Sequence, residues 1–193
     1  MARTREFDTD AALERAMEVF REKGYEGAST RDLAGAIGIG PGSLYAAFSN
    51  KEGLYLAALR RHCEHLEATT QRALASKQSA RTVLRGLLER AFTGSDPAHW
   101  GPGCLLLRAA TERAGANPEL DRMLRDASRA VEAAFAEILA DGRRRGELPA
   151  DLDAAAAAHF LVTTLQGLRV MALLGSDRAS LSATVETALR CLG

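Results

Sequence analysis

Cysteine is scarce in this 193-residue chain: Cys63, Cys104 and Cys191 stand far apart and are odd in number. That argues against a disulfide framework and for a reducing, cytoplasmic setting. Long apolar runs are missing, since no stretch approaches about 18 uncharged apolar residues, so no membrane partner is expected. The opening "MARTREFDTD" has no apolar h-region and reads as no secretory signal. Charge of either sign is not in excess, with 25 Lys and Arg against 25 Asp and Glu. Strand-like alternation is absent at useful length, as are internal repeats. No HExxH, GxSxG, P-loop or CxxC occurs, and the four histidines have no partnered nucleophile in sequence, which weighs against an enzyme in an all-α scaffold.

What remains is helix. Leu13, Ala16, Met17 and Phe20 follow i, i+3, i+4, i+7 and predict an amphipathic helix from about Thr9 to Lys23, ended by Gly24. Ser29 and Asp32 have the spacing of a capping box opening a short helix that buries Leu33 and Ile37. Gly38, Gly40, Pro41 and Gly42 then crowd together before "SLYAAF", with Pro41 where a first helical turn accepts proline. Ser49 and Glu52 repeat the capping spacing and predict the start of a long helix to about Leu74. Further helices are predicted over about Ser79 to Phe92, Cys104 to Arg113, from "GANPE" through Leu139, Ala154 to Leu174, and Ala179 to Leu192. The fold class is all-α, with about nine helices.

Two short helices joined by a Gly-containing turn are the helix-turn-helix pattern of DNA-binding proteins. Gly38 suits the turn, and Gly40 and Gly42 leave a thin helix entry whose backbone N–H groups, with Ser43, meet phosphate oxygens. Leu44 and Phe48 face inward and clamp this second helix to the first. Ser29, Thr30 and Arg31 offer donors to one phosphate stretch; Tyr45 and Lys51 hold the backbone across the groove. Arg3 and Arg5 form a basic arm suited to minor-groove contact. Charge does not favour this reading, because residues 1–65 hold nine Lys and Arg against ten Asp and Glu. A DNA-binding face here has to be sorted by position rather than by total. A helix-turn-helix that contacts protein as an adaptor is the competing reading.

"ALERAMEVFREKGYEG" followed by "ASTRDLAGAIGIGPGSLYAAFSNKEGL" resembles the N-terminal domain of TetR-family transcriptional regulators over about residues 8–60. The resemblance rests on Phe20, Gly24, Tyr25, Thr30, Asp32, Leu33, Ala34, Gly38, Leu44, Tyr45, Phe48, Lys51 and Glu52. It implies a helix-turn-helix DNA-binding domain (residues 1–52) and a helical-bundle ligand-binding and dimerisation domain (residues 53–193). It further implies a homodimer on double-stranded (pseudo)palindromic operator DNA, repressing until a small-molecule ligand lowers DNA affinity. Many members carry a larger side chain where Ala46 and Ala47 stand, so readout here is expected to lean on backbone, methyl contacts and DNA shape. The pattern names DNA as a partner without naming the operator.

The resemblance also places a dimer interface on the last two helices: Leu161, Leu165, Leu168, Ala172, Leu181, Val185 and Leu189. It places the ligand pocket among the middle helices, with Leu66, Leu88, Phe92, Trp100, Cys104, Leu105, Arg108, Phe135, Phe160, Thr164 and Gln166 as lining. No cofactor or metal is expected, and the effector is unnamed. Two sharper possibilities stand beside plain core. "HCEH" sets His62 and His65 one turn apart as a start of a metal site, with His99, His159 and Cys104 as reserve ligands. Cys104 follows "GPG" at a helix start, where a dipole lowers a thiol pKa and permits redox sensing.

Overall fold

The computed structural model describes residues 8–93 and 104–193. Arg3, Arg5, His99 and Trp100 lie outside the described residues. Within them the architecture is nine α-helices, and no strand.

α1 (Thr9–Gly27) begins where Asp8 caps the Ala11 amide at 3.0 Å, and buries Ala12, Ala16, Met17 and Phe20 on one stripe. Gly24 breaks it, at φ +73°. α2 (Thr30–Ile37) carries the complete Ser29/Asp32 capping box and stops at Gly38 in the left-handed region. α3 (Pro41–Phe48) starts on proline and sinks Leu44 fully beneath it. α4 (Lys51–Leu74) runs 24 residues and packs on α1, α3, α6 (Leu105–Arg113) and α7 (Pro118–Arg144). α5 (Ala80–Thr93), α8 (Ala154–Leu173) and α9 (Arg178–Arg190) complete the bundle. One hydrophobic cluster runs unbroken from Phe20 and Leu33 through Leu54 and Leu59 to Phe135, Leu165 and Leu189.

The α3–α4 junction departs from expectation. Ser49 is not the cap of α4; it closes α3 at φ +66°, and Asn50 caps α4 by accepting from the Gly53 amide at 2.8 Å. The cause is lack of room. A Cβ on Gly53 would lie 2.2 Å from the Phe48 carbonyl oxygen, so the chain reverses within a space only glycine permits. Glu52, freed from capping, turns towards α6.

α8 is long and apolar enough, by length and composition, to cross a membrane, although Arg169 interrupts its uncharged run. It packs on α7, α5 and α9, and it buries Arg169, whose Nη1 donates to the Gln166 side-chain oxygen at 2.8 Å. One stripe of it faces these helices, and much of its remaining apolar surface is exposed.

Candidate nucleic-acid interface and its anchor in the second half

α3 presents one continuous exposed strip: Pro41, Gly42, Ser43, Tyr45, Ala46 and Ala47. Nothing lies within 4 Å of a Cβ built at Gly40 or Gly42, so the helix entry is open on its outer side. The strip is held by Leu44, which is wholly covered, and by half-buried Phe48. Tyr45 is 41% exposed and its hydroxyl lies 2.8 Å from the Thr30 hydroxyl at the start of α2. Ser29, Thr30, Arg31 and Tyr45 thus share one rim, at the positive end of the α2 dipole.

Acidic groups near this rim are neutralised locally. Asp32 accepts from Lys23 Nζ at 2.6 Å and from Ser29, first the ammonium and then the cap holding its carboxyl well below the usual carboxylate range. Arg15 Nη1 donates to the Ile37 carbonyl at 3.0 Å, satisfying the end of α2. The Asp32 carboxylate at this rim is thus offset, so it does not oppose a phosphate there.

Lys51 is the one residue of the group placed otherwise than expected. Its ammonium sits 4.4 Å from the centroid of the Tyr25 ring. The same ring carries the guanidinium of Arg113, at 3.7 Å. Tyr25 packs edge-on against Tyr55 at 4.9 Å, and Tyr55 against Phe20 at 4.9 Å. Burial pushes the Tyr55 hydroxyl up to about 12, and burial, then the Glu52 carboxylate, raises that of Tyr25. Both phenols stay neutral.

This cluster is where α6 grips the helix-turn-helix. Arg108 Nη1 donates to the carbonyls of Arg21 (3.0 Å) and Glu22 (3.2 Å), and its Nε to Glu112 at 2.6 Å. Glu112 accepts from the Tyr25 amide at 3.2 Å. Arg113 Nη2 donates to both Glu52 oxygens, at 3.0 and 2.8 Å. Gly24 makes the approach possible: a Cβ there would stand 2.6 Å from Glu112 Oε2 and 2.9 Å from Arg108 Nε. Arg108, expected in the pocket, is engaged with α1 here. Arg113 and Glu112 were missed in sequence, and Glu52, named there as a cap and in the family resemblance, was not paired with them, because the partners lie tens of residues apart; an Arg, Glu, Arg grouping on a short helix was the available signal.

The remaining pocket residues separate. Of the described pocket residues, only Leu66 lines the cavity of about 410 Å³ between α4 and α7, with Cys63, Thr70, Met123, Ala127 and Val131. Glu67, Glu119, Arg122 and Asp126 surround its mouth. Leu88, Cys104, Leu105 and Phe135 are plain core, and Phe92 packs half-buried against it. Phe160 and Thr164 border a shallow depression with Ala183, Thr184, Thr187 and Ala188 on α9, while Gln166 is spent on Arg169. Helical periodicity identifies inward faces, but not which of them leaves a void.

The dimer residues shift by the same logic. Leu161, Leu165, Leu168, Leu181, Val185 and Leu189 are covered within the protomer, and Ala172 is half-buried, so they serve its own core. The apolar side chains that α8 and its end leave in solvent are Phe160, Val170, Met171, Leu173 and Leu174.

His62 and His65 do not converge. His65 Nε2 lies 3.3 Å from Glu14, whereas buried His62 faces Cys104, with Nε2 to Sγ at 3.6 Å. Among the described residues no cluster of three His, Cys, Asp or Glu is arranged to hold a metal, and His159 sits apart, 3.3 Å from Glu132. Burial, then nearby Arg169, pushes the His62 pKa down to about 3, so the imidazole is neutral. Burial, then Cys104, raises the Cys63 thiol to about 11.

A short helix stripped of bulk, seated on a capped partner and open along one side, is built to enter a groove; the chain is a helix-turn-helix DNA-binding transcriptional regulator. It belongs to the TetR family: residues 12–58 match "Bacterial regulatory proteins, tetR family" and residues 80–188 match "Tetracyclin repressor-like, C-terminal domain". It is 32% identical to the HTH-type transcriptional regulator YezE of Bacillus subtilis (strain 168) over all of both chains. It is also 32% identical to the HTH-type transcriptional repressor ComR of Escherichia coli (strain K12), over 97% of this chain and 90% of that one. Among solved structures it resembles the TetR family regulator CifR, a cysteine mutant complexed with 26-bp double-strand operator DNA. That match has a TM-score of 0.82 and 36% identity, over 99% of this chain and 100% of CifR.

Proposed function

We propose that the protein is a cytoplasmic, non-catalytic, homodimeric repressor that leaves its operator when a small molecule fills the α4–α7 cavity. The open strip on α3 carries the DNA-facing part of this reading: its residues have no packing role, and its backbone is accessible to phosphates. Ser29, Thr30, Arg31, Gly40, Pro41, Gly42, Ser43 and Tyr45 position the duplex, and Lys51 adds a phosphate contact by leaving the Tyr25 ring. The exposed apolar face of α8 supports self-association, since Met171, Leu173 and Leu174 are 47, 60 and 74% exposed. The cavity has the size and the apolar floor of a small-molecule site, and its charged mouth fits an organic ligand with one polar end.

The test is capture of genomic fragments by the purified protein, followed by affinity measurement on the recovered duplex across a salt series. Steep weakening with salt, on a (pseudo)palindromic site, is expected. Failure to retain any fragment at low salt overturns the reading. Met171→Glu with Leu174→Glu is expected to give monomers in sedimentation and to weaken duplex binding; a dimer surviving both changes removes α8 from the interface.

A second reading is favoured by one contact, that of Cys104 Sγ with neutral His62. In it the signal is a peroxide: Sγ attacks one peroxide oxygen, an S–O bond forms and the O–O bond breaks. The thiol proton passes through His62 to the departing hydroxide, sulfur loses two electrons, and the peroxide is reduced to water. Duplex release by hydrogen peroxide, lost in Cys104→Ser, is the expected sign; release unchanged in that variant rejects it.

A further inference from the structure

Lys51 and Glu52 open α4 side by side, and Arg113 at the end of α6 controls the surroundings of both. Its Cζ lies 3.7 Å from the centroid of the ring on which the Lys51 ammonium also rests, at 4.4 Å. Its Nη2 takes both oxygens of Glu52, and Nη1 lies 3.6 Å from Glu26. The side chain is only 13% exposed, and its Nε is buried with no hydrogen-bond partner among the described residues. A buried Nε without compensation is costly, so this guanidinium is held by its carboxylates and ring rather than by ease of burial.

Electrostatics gives the arrangement a direction. A free Glu52 carboxylate beside Lys51 has two effects on a DNA phosphate: it attracts the ammonium that would meet the phosphate, and it repels the phosphate itself. Arg113 removes both by neutralising Glu52. We infer that Arg113 is a positioning residue for DNA binding: it keeps Glu52 occupied and Lys51 available to a phosphate.

The α4–α7 cavity lies beside the same pair. Asn117 caps α7 and donates from Nδ2 to Glu52 Oε1 at 3.3 Å, and Glu119, two residues on, stands at the cavity mouth. An occupant that draws the start of α7 away from α4 also withdraws a ligand of Glu52.

The inference rests on the DNA-binding reading above and is tested on the duplex that wild-type protein recovers from genomic DNA. If wild type recovers none, that reading fails first. Given a duplex, Lys51→Ala is expected to weaken binding about tenfold and to lower the salt slope by about 0.9 for each phosphate it no longer neutralises. Arg113→Gln is expected to do the same, with the double variant no weaker than either single. Glu52→Gln placed in the Arg113→Gln background is expected to restore affinity, because it removes the carboxylate that Arg113 neutralises. Arg113→Lys is expected to restore part of it. Circular dichroism and thermal melts identify variants that are merely unfolded, and the Arg113→Lys and Glu52→Gln rescues apply to folded protein. Additive losses in the double variant, an unchanged salt slope, or no rescue by Glu52→Gln in folded protein overturns the proposal.

Discussion

α3 and α6 are two short helices of eight and nine residues with opposite equipment. α3 shows solvent a strip of proline, glycine, serine, alanine and one tyrosine, whereas α6 carries Arg108, Glu112 and Arg113, all engaged with the helix-turn-helix or the start of α4. On the reading proposed above, the bare helix is the one that meets DNA, while the charged one is consumed internally. Charge on a helix is thus no guide to which helix binds DNA. Where each charge is already paired is the better guide.

The contrast breaks most forcefully at the seat of α3. Leu44→Ala removes its only fully buried side chain and is expected to cost about 3 kcal/mol, with loss of duplex binding. Denaturant titration and a binding assay check it. Next is Gly24→Ala, which combines a positive φ with a Cβ pressed against Glu112. It is expected to cost about 2 kcal/mol by displacing α6 from α1, read in the same titration. A change below a few tenths of a kcal/mol would mean α6 is not seated as described.

His62, which meets the start of α6 through Cys104, gives a pH signature. Its pKa is about 3 in the fold and near 6.5 when unfolded, so between these values only the unfolded chain takes up the proton. Its stabilisation is complete above pH 6.5 and falls as pH drops towards 3, by about 1.4 kcal/mol per unit. Comparing wild type with His62→Gln between pH 7 and 5 isolates this slope; equal slopes reject a buried neutral imidazole. The smallest effect sharpens the comparison instead. Gly42→Ala meets no neighbour, so free-protein stability should change by less than about 1 kcal/mol. Duplex affinity should fall if the backbone there approaches phosphate, and an unchanged affinity would place the DNA elsewhere on α3.

Local chemistry made most of the fold legible. The Ser29/Asp32 box, Gly38 and Pro41 each mark an element end by a hydrogen bond or a φ value that few other residues supply. Ser49 misled because its spacing to Glu52 imitates a box, while the neighbouring Asn50 competes for the same role and wins on geometry. The exposed strip of α3 could be read for the same reason as the caps: its neighbours in sequence are its neighbours in space. The anchor of α6 could not, since Arg113 meets Glu52 and Tyr25 only once the chain has closed on itself. The apolar period of α8 had a related failing. It pointed to Leu161, Leu165 and Leu168, the face with the best pattern, and that face belongs to the core.

The Gly53 turn has a mechanical consequence. The Phe48 carbonyl oxygen occupies the space a Gly53 Cβ would need, so the joint between α3 and α4 is closely packed. α4 is 24 residues, a rod of about 36 Å at about 1.5 Å per residue, so a tilt of about 5° about its far end swings α3 by about 3 Å. That distance is the length of one hydrogen bond to a phosphate. A slight lean at the far end of α4 would therefore displace α3 by the length of a bond.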